Sequence, residues 1–226
     1  MKRIKRILKK LPFLGKLAFD KRNKTKVTKA ISGENNKIEL DESSVLRHCK
    51  IEIEGNNNII EIAKHCNFNN VTFYIKGHNH KIIIDKNVKF KRGGSLWIED
   101  DNCQIIIGEF STFEDVHIAV TEPFSKIEIG KDCMFAYDID LRTGDSHSIL
   151  DVKTNKRINH AKSIKIGDHV WVASHVSILK GVHISNNSVI ATRSVVTKSF
   201  DEGNIAIGGS PAKKLKENIT WDRRRI

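Results

Sequence analysis

Three side chains that can move or steer a proton, Asp145, His147 and His160, fall within one short stretch, and Trp171 follows 24 residues after His147. A neutral imidazole titrates near neutral pH and can take the proton of an attacking hydroxyl. A carboxylate two residues before it can orient the ring or accept a hydrogen bond from a substrate. His147 is one of ten histidines, and taken alone it reads as a surface loop residue. Its setting is what singles it out, because it falls inside the interruption of an otherwise regular repeat. His160 closes the same stretch and reads equally as an acceptor contact or as a solvated loop side chain. No Ser or Cys stands in a nucleophile context, so a covalent enzyme intermediate is not expected.

The elements that must position these residues follow from the repeat. Aliphatic pairs recur at Ile38/Leu40, Ile60/Ile62, Ile82/Ile84, Ile105/Ile107 and Ile127/Ile129, in steps of 22, 22, 23 and 22 residues. A sixth pair, Ile164/Ile166, comes 37 residues after the fifth. Eight residues after the first aliphatic stand Leu46, Phe68, Phe90, Phe113, Phe135 and Val172. Six residues after it stand Ser44, Cys66, Val88, Ser111, Cys133 and Val170. Like residues at matched offsets mean stacked units, with each coil setting the same side chain above its predecessor. A β-sandwich with evenly spaced strands would not repeat one residue type in one column six times.

From Ile166 the period tightens, and Val172, Ile178, Ile184, Ile190 and Val196 follow every six residues. That spacing matches neither a helix nor a simple strand alternation. It fits a three-sided parallel β-helix with one hexapeptide per side. The pattern predicts an all-β chain of about seven coils with a loop insertion near residues 146–162. Gly55-Asn56-Asn57-Asn58, Gly77-His78-Asn79-His80 and Gly93-Gly94 are corner candidates, since Gly and Asn tolerate positive φ. The His78-x-His80 pair reads as a solvated turn. No His/Cys cluster has metal-ligand spacing, and no metal is expected.

Charge divides the chain of 226 residues into three segments. The net charge is +12, of which residues 1–30 carry +11 and residues 213–226 carry +4, leaving the body at −3. A nucleic-acid binder carries its basic surface on the folded domain, so nucleic acid is not expected. Residues 1–24 place Ile4, Ile7, Leu8, Leu11, Leu14 and Leu17 at helical spacing opposite Lys and Arg, with Pro12 dividing the run. This amphipathic helix reads equally as a peripheral membrane contact or as a helix packed within the oligomer. It lacks the apolar core and cleavage site of a secretory signal, and no stretch reaches transmembrane length. Cys49, Cys66, Cys103 and Cys133 are widely spaced and read as buried free thiols of a reducing cytoplasm. The expected division is a basic segment over 1–30, the β-helix over 31–207, and a turn with a basic tail over 208–226.

The segment from Ile164 to Lys216 resembles the C-terminal signature of the hexapeptide-repeat acyltransferases. The resemblance rests on Asp145-x-His147, Trp171 within VWVAS, then SVVTK, then GGSPAKKLK. It covers about residues 125–216 and is closest to the sugar and capsular-polysaccharide O-acetyltransferases, relatives of the galactoside and maltose acetyltransferases. It implies a left-handed β-helix that forms a homotrimer and moves an acetyl group from acetyl-CoA to a saccharide hydroxyl. It implies His147 as general base and Asp145 as its orienter or an acceptor contact. Trp171 falls between the inward Val170 and Val172, so its indole should face outward, as a wall for the sugar or the pantetheine arm or as oligomer packing. Ser174, Thr192, Thr197 and Lys198 match positions that contact the arm and adenine of CoA, and Lys213 and Lys216 match basic positions near its phosphates. The chain departs from the family at Ala173, where Gly is common, and at Thr192-Arg193, where a small Ala-Gly pair is common.

Two further readings share this scaffold. One is acetylation of a small molecule or of the amine of a sugar nucleotide. The other is a trimeric β-helix that keeps the repeat without catalysis.

Overall fold

A computed structural model describes residues 27–226. The amphipathic segment expected over residues 1–24 lies outside the described residues. The described residues are strands and turns with no helix. Seven parallel strands, Lys37–Leu40, Ile59–Ile62, Lys81–Ile84, Gln104–Ile107, Lys126–Ile129, Ile164–Ile166 and His183–Ile184, stack as face one of a prism. Face two runs from Val45–Arg47 down to Ala206–Gly209, and face three from Thr28–Ser32 down to Val195–Val196. Each of these two faces holds eight strands, so the stack is seven full coils with a partial coil at its ends. Two long strands, Lys89–Asp101 and Thr112–Val120, bend across the corner between faces two and three, and the first carries an extra residue between Phe90 and Gly93 where it pairs with Phe113 and Asp115 of the second.

Register explains the period. Ile38 pairs with Ile60, Ile60 with Ile82, Ile82 with Ile105, Ile105 with Ile127 and Ile127 with Ile164. Each pair joins one repeat to the next, so like side chains meet inside the tube. Phe68, Phe90, Phe113 and Phe135 form a ladder of stacked rings with centroids 5.1, 4.3 and 4.9 Å apart. All four rings are fully buried. Loss of one ring from such a core costs on the order of 3–5 kcal/mol.

Corners follow the Gly and Asn runs. Asn35, Asn57 and Asn79 take φ of 56°, 59° and 60°. Their amides bridge coils at 3.2 Å. Gly77, with φ of 119°, passes so close to the Asp100 carbonyl that a Cβ would lie 1.6 Å from its oxygen. The expected solvated turn at His80 is corrected by its burial. His80 follows the buried Asn58 in one column, and its Nδ1 accepts the Cys103 N–H at 3.1 Å. Burial favours the neutral ring, lowering its pKa.

All four cysteines are free and buried. Desolvation pushes the thiols of Cys103 and Cys133 up to about 12, so they are structural rather than reactive.

The C-terminal segment, expected as a turn with a basic tail, lies against the stack. Ala212–Lys216 turns back antiparallel on Ala206–Gly209 and closes the lower edge of face two. The chain then climbs the corner between faces one and two. The Trp221 indole stacks on His169 with centroids 4.2 Å apart and donates to the His169 carbonyl at 2.8 Å. Above it, Arg223 donates to Asp132, Thr112 and the Cys133 carbonyl at 3.0, 2.8 and 3.0 Å.

Candidate active site

The 37-residue step is a loop inserted at the corner between faces three and one. Its base is a closed seam. Thr143 is buried and donates to the Thr121 carbonyl at 3.1 Å, and its hydroxyl accepts the Thr121 N–H at 2.9 Å. The Lys162 N–H donates to the Thr143 carbonyl at 3.0 Å, returning the chain to the next coil. Between these points the loop folds on itself, with an antiparallel bridge from Leu150 to Arg157.

Asn159 holds the loop together from within and is 7% exposed. Its amide donates to Asp145 at 2.9 Å and to the His147 carbonyl at 2.8 Å. Its oxygen accepts from the Ile149 N–H at 2.7 Å. The Lys180 ammonium, one coil below, pairs with Asp145 and donates to the Asn159 carbonyl at 2.9 Å. Lys180 first, and Asn159 after it, hold the Asp145 carboxyl below the usual carboxylate range. Glu122, one coil above, pairs with Arg157 and accepts from the Ala161 N–H at 3.2 Å. A buried amide and two ion pairs thus fix the loop between neighbouring coils.

This geometry sorts the residues expected from the sequence. His147 is exposed, and its backbone N–H is held on the Asp145 carbonyl at 2.7 Å. The carboxylate of Asp145 serves Lys180 and Asn159, so its link to His147 runs through the backbone and through Asn159. His160 lies on the far side of the loop, 68% exposed and 3.9 Å from Glu122. Trp171 points outward from face two, as alternation predicts, but within one chain it is not a wall beside His147. Its indole lies 6.2 Å from that of Trp221, across the prism from the insertion.

The residues matched to CoA contacts divide between two corners. Ser174 and Thr192 meet at the corner between faces two and three, where the Thr192 hydroxyl donates to the Ser174 carbonyl at 2.8 Å. Arg193 takes φ of 57° there, and its N–H donates to the same carbonyl at 3.0 Å. A left-handed residue at this point explains why Gly suits it in the family. Thr197 and Lys198 lie one face away, at the corner that carries Lys180 and the insertion. Lys213 and Lys216 pair with Gly208 and Ala206 on the closing strand. Among the described residues, no group of three or more His, Cys, Asp or Glu side chains is arranged to hold a metal ion.

The whole stack compares closely with solved structures. The crystal structure of the polysialic acid O-acetyltransferase OatWY matches with a TM-score of 0.81 at 35% identity, over 88% of this chain and 92% of that one.

The chain belongs to this left-handed β-helix acetyltransferase family.

A second member, the polySia-specific acetyltransferase NeuO, matches with a TM-score of 0.79 at 35% identity, over 88% of this chain and 90% of that one. By sequence, the chain is 40% identical over 120 residues to a polysialic acid O-acetyltransferase of Escherichia coli O1:K1 / APEC. It is 38% identical over 123 residues to one of Neisseria meningitidis. These matches span 53% and 54% of this chain, but only 38% and 57% of those two proteins. No family model matches the chain.

Asn159, Lys180, Glu122 and Arg157 hold the insertion of this chain, and sequence reading passed over them. One signal was available. Residues 37 apart across the insertion occupy one column, and Asp132 with His169, and Asp138 with His175, are spaced in that way.

Proposed function

We propose that the protein transfers an acetyl group from acetyl-CoA to a hydroxyl of a sialic-acid-type capsular glycan, with His147 as general base. The observation that carries this reading is the clasped insertion, which holds an exposed histidine at a fixed break in an acetyltransferase β-helix. The names of the relatives supply the acceptor class.

The reaction is a direct displacement. The imidazole of His147 removes the proton of the sugar hydroxyl as the oxygen attacks the thioester carbonyl. The tetrahedral oxyanion collapses with cleavage of the carbon–sulfur bond. The departing thiolate then takes the proton from the imidazolium, which returns the ring to its neutral form. The oxyanion calls for fixed N–H donors.

The distribution of CoA positions argues for a ring of copies. Ser174 and Thr192 stand on one edge of face three, and Thr197 and Lys198 on the other. One CoA meets both sets when the first edge of one copy abuts the second edge of the next. Three prisms joined corner to corner enclose a three-sided space lined by face three, which makes the assembly a homotrimer. The same arrangement brings the insertion of one copy to the Trp171 side of another, restoring the wall that a single chain lacks. The basic residues of 1–24 suit attachment at the inner face of the cytoplasmic membrane, where the glycan is assembled.

The test is CoA release from acetyl-CoA with polysialic acid as acceptor, for the wild type and His147→Ala. We expect kcat to fall about 10²–10⁴-fold, with the fold and acetyl-CoA affinity unchanged. Near-normal turnover in the variant would remove His147 from its role. No release with any saccharide would remove the acceptor assignment.

A further inference from the structure

Among the described residues, three His–Asp pairs tie successive coils together. The ring of His169 is used up, because Nδ1 meets Asp132 at 2.8 Å and Nε2 meets the Trp221 carbonyl at 3.0 Å. The His183–Asp201 pair, at 2.7 Å, belongs to the lower end of face one. The third pair, Asp138 with His175, lies at the corner between faces two and three. There His175 follows Ser174 directly, one coil above Thr192.

Its geometry is that of a poised acceptor. The His175 Nδ1 stands 2.6 Å from the Asp138 carboxylate. A carboxylate only accepts, so Nδ1 carries the hydrogen, and in the neutral ring Nε2 is left with its lone pair. The backbone fixes the position, since the His175 N–H donates to the Tyr137 carbonyl at 3.1 Å. Tyr137 meets the imidazole edge-on, with centroids 5.1 Å apart and planes at 82°. Tyr137 is 47% exposed. An exposed aromatic face next to an oriented acceptor is the chemistry of a sugar subsite. The ring stacks on the apolar face of a pyranose, and Nε2 accepts from a hydroxyl or an amide N–H.

We propose that Tyr137 and His175 form the acceptor subsite, with Asp138 as the positioning residue that fixes the His175 tautomer. The inference rests on the acetyltransferase reading and on the corner-to-corner ring. In that ring this edge meets the insertion of the neighbouring copy at the level of Asp145–His147, since Tyr137 and His175 belong to the two coils that flank the insertion. The sugar then lies between the Tyr137 face and the partner's His147, while CoA runs along the Ser174–Thr192 edge below.

The test separates acceptor from cosubstrate. Polysialic acid oligomers of defined length and acetyl-CoA are varied independently for the wild type, Tyr137→Ala, Tyr137→Phe, His175→Ala and Asp138→Asn. We expect the acceptor KM to rise about tenfold in Tyr137→Ala and His175→Ala, matching the loss of one hydrogen bond or ring contact. Tyr137→Phe keeps the ring and should stay within about threefold of wild type. The acetyl-CoA KM should not move in any of them. An acetyl-CoA KM that rises while the acceptor KM stays constant would overturn the proposal and give this edge to the cosubstrate. Unchanged values for both would reduce the pair to a clasp between coils.

If His175→Ala fails to fold, the Tyr137 variants carry the test. A binding readout separates this proposal from the reaction itself. Saturation-transfer NMR of the oligomers is recorded on His147→Ala, with and without Tyr137→Ala. Contact that is lost with Tyr137 supports the subsite even where turnover fails. Contact that persists without Tyr137 overturns the subsite while leaving the reaction standing.

Discussion

At the residue scale, the arrangement around His147 separates the proposed base from the groups that place it. Asp145 reads in sequence as the partner of the histidine, yet its carboxylate is spent on Lys180 and Asn159. Asp145→Asn should therefore act through the loop. We expect acceptor kcat/KM to fall about tenfold, an acetyl-CoA KM near that of wild type, and faster amide exchange over residues 146–160. The pH dependence has a definite sign. Lys180 lowers the carboxyl in the folded state, so the clasp is complete above the ordinary carboxylate value of about 3.9 and is lost as pH falls through the lower folded value. Exchange within the loop, corrected for intrinsic rates, should be flat from about pH 5 to pH 8 and rise only in stronger acid. Opening of the loop between pH 5 and 8 would show that the clasp is not what holds it.

At the element scale, the corner columns decide how coils tolerate change. His80 occupies the column of Asn36 and Asn58, and its Nδ1 accepts the N–H of the next coil as their Oδ1 atoms do. Its pKa is lowered by burial. The unfolded chain therefore takes up a proton below about pH 6.5 that the folded chain refuses, and stability falls with pH from that point down to the folded value. His80→Asn should remove this acid sensitivity while leaving the melting temperature at pH 8 within a few degrees. Thermal melts at pH 5 and pH 8 check it, and an unchanged acid slope would exclude His80 as the source.

Columns such as these mark what was readable in the sequence. The Ile and Phe ladders and the Asn corners announce themselves, because stacking copies each residue type from coil to coil. His80 and Asn159 do not. Each is a buried polar side chain defined by partners on other coils or across a loop, and although His80 keeps the 22-residue spacing of Asn36 and Asn58, its residue type breaks the column. Trp171 was legible as outward-facing, but alternation fixes a face and not a neighbour. Which chain stands opposite it depends on the assembly.

At the scale of the whole molecule, the proposed ring, joined at the corners, turns face three toward its axis. The outward residues on that face include Tyr74 and Trp97, stacked with centroids 3.8 Å apart, and His117, which meets the Ser95 hydroxyl. Trp97→Lys puts a charge on the axis and should yield monomers in sedimentation velocity, with the β-helix spectrum retained. An intact trimer in this variant would mean that the copies meet by another surface. Within each chain, the strap of Trp221 and Arg223 has a consequence for synthesis. Arg223 grips Thr112, which precedes it by 111 residues, and Cys133, which precedes it by 90. The upper coils are local and can form as they leave the ribosome, whereas this grip waits for the last few residues of the described chain. The strap therefore works as a check on register. Burial of the Trp221 indole is the optical signal that the coils between Thr112 and His169 are wound without a slip.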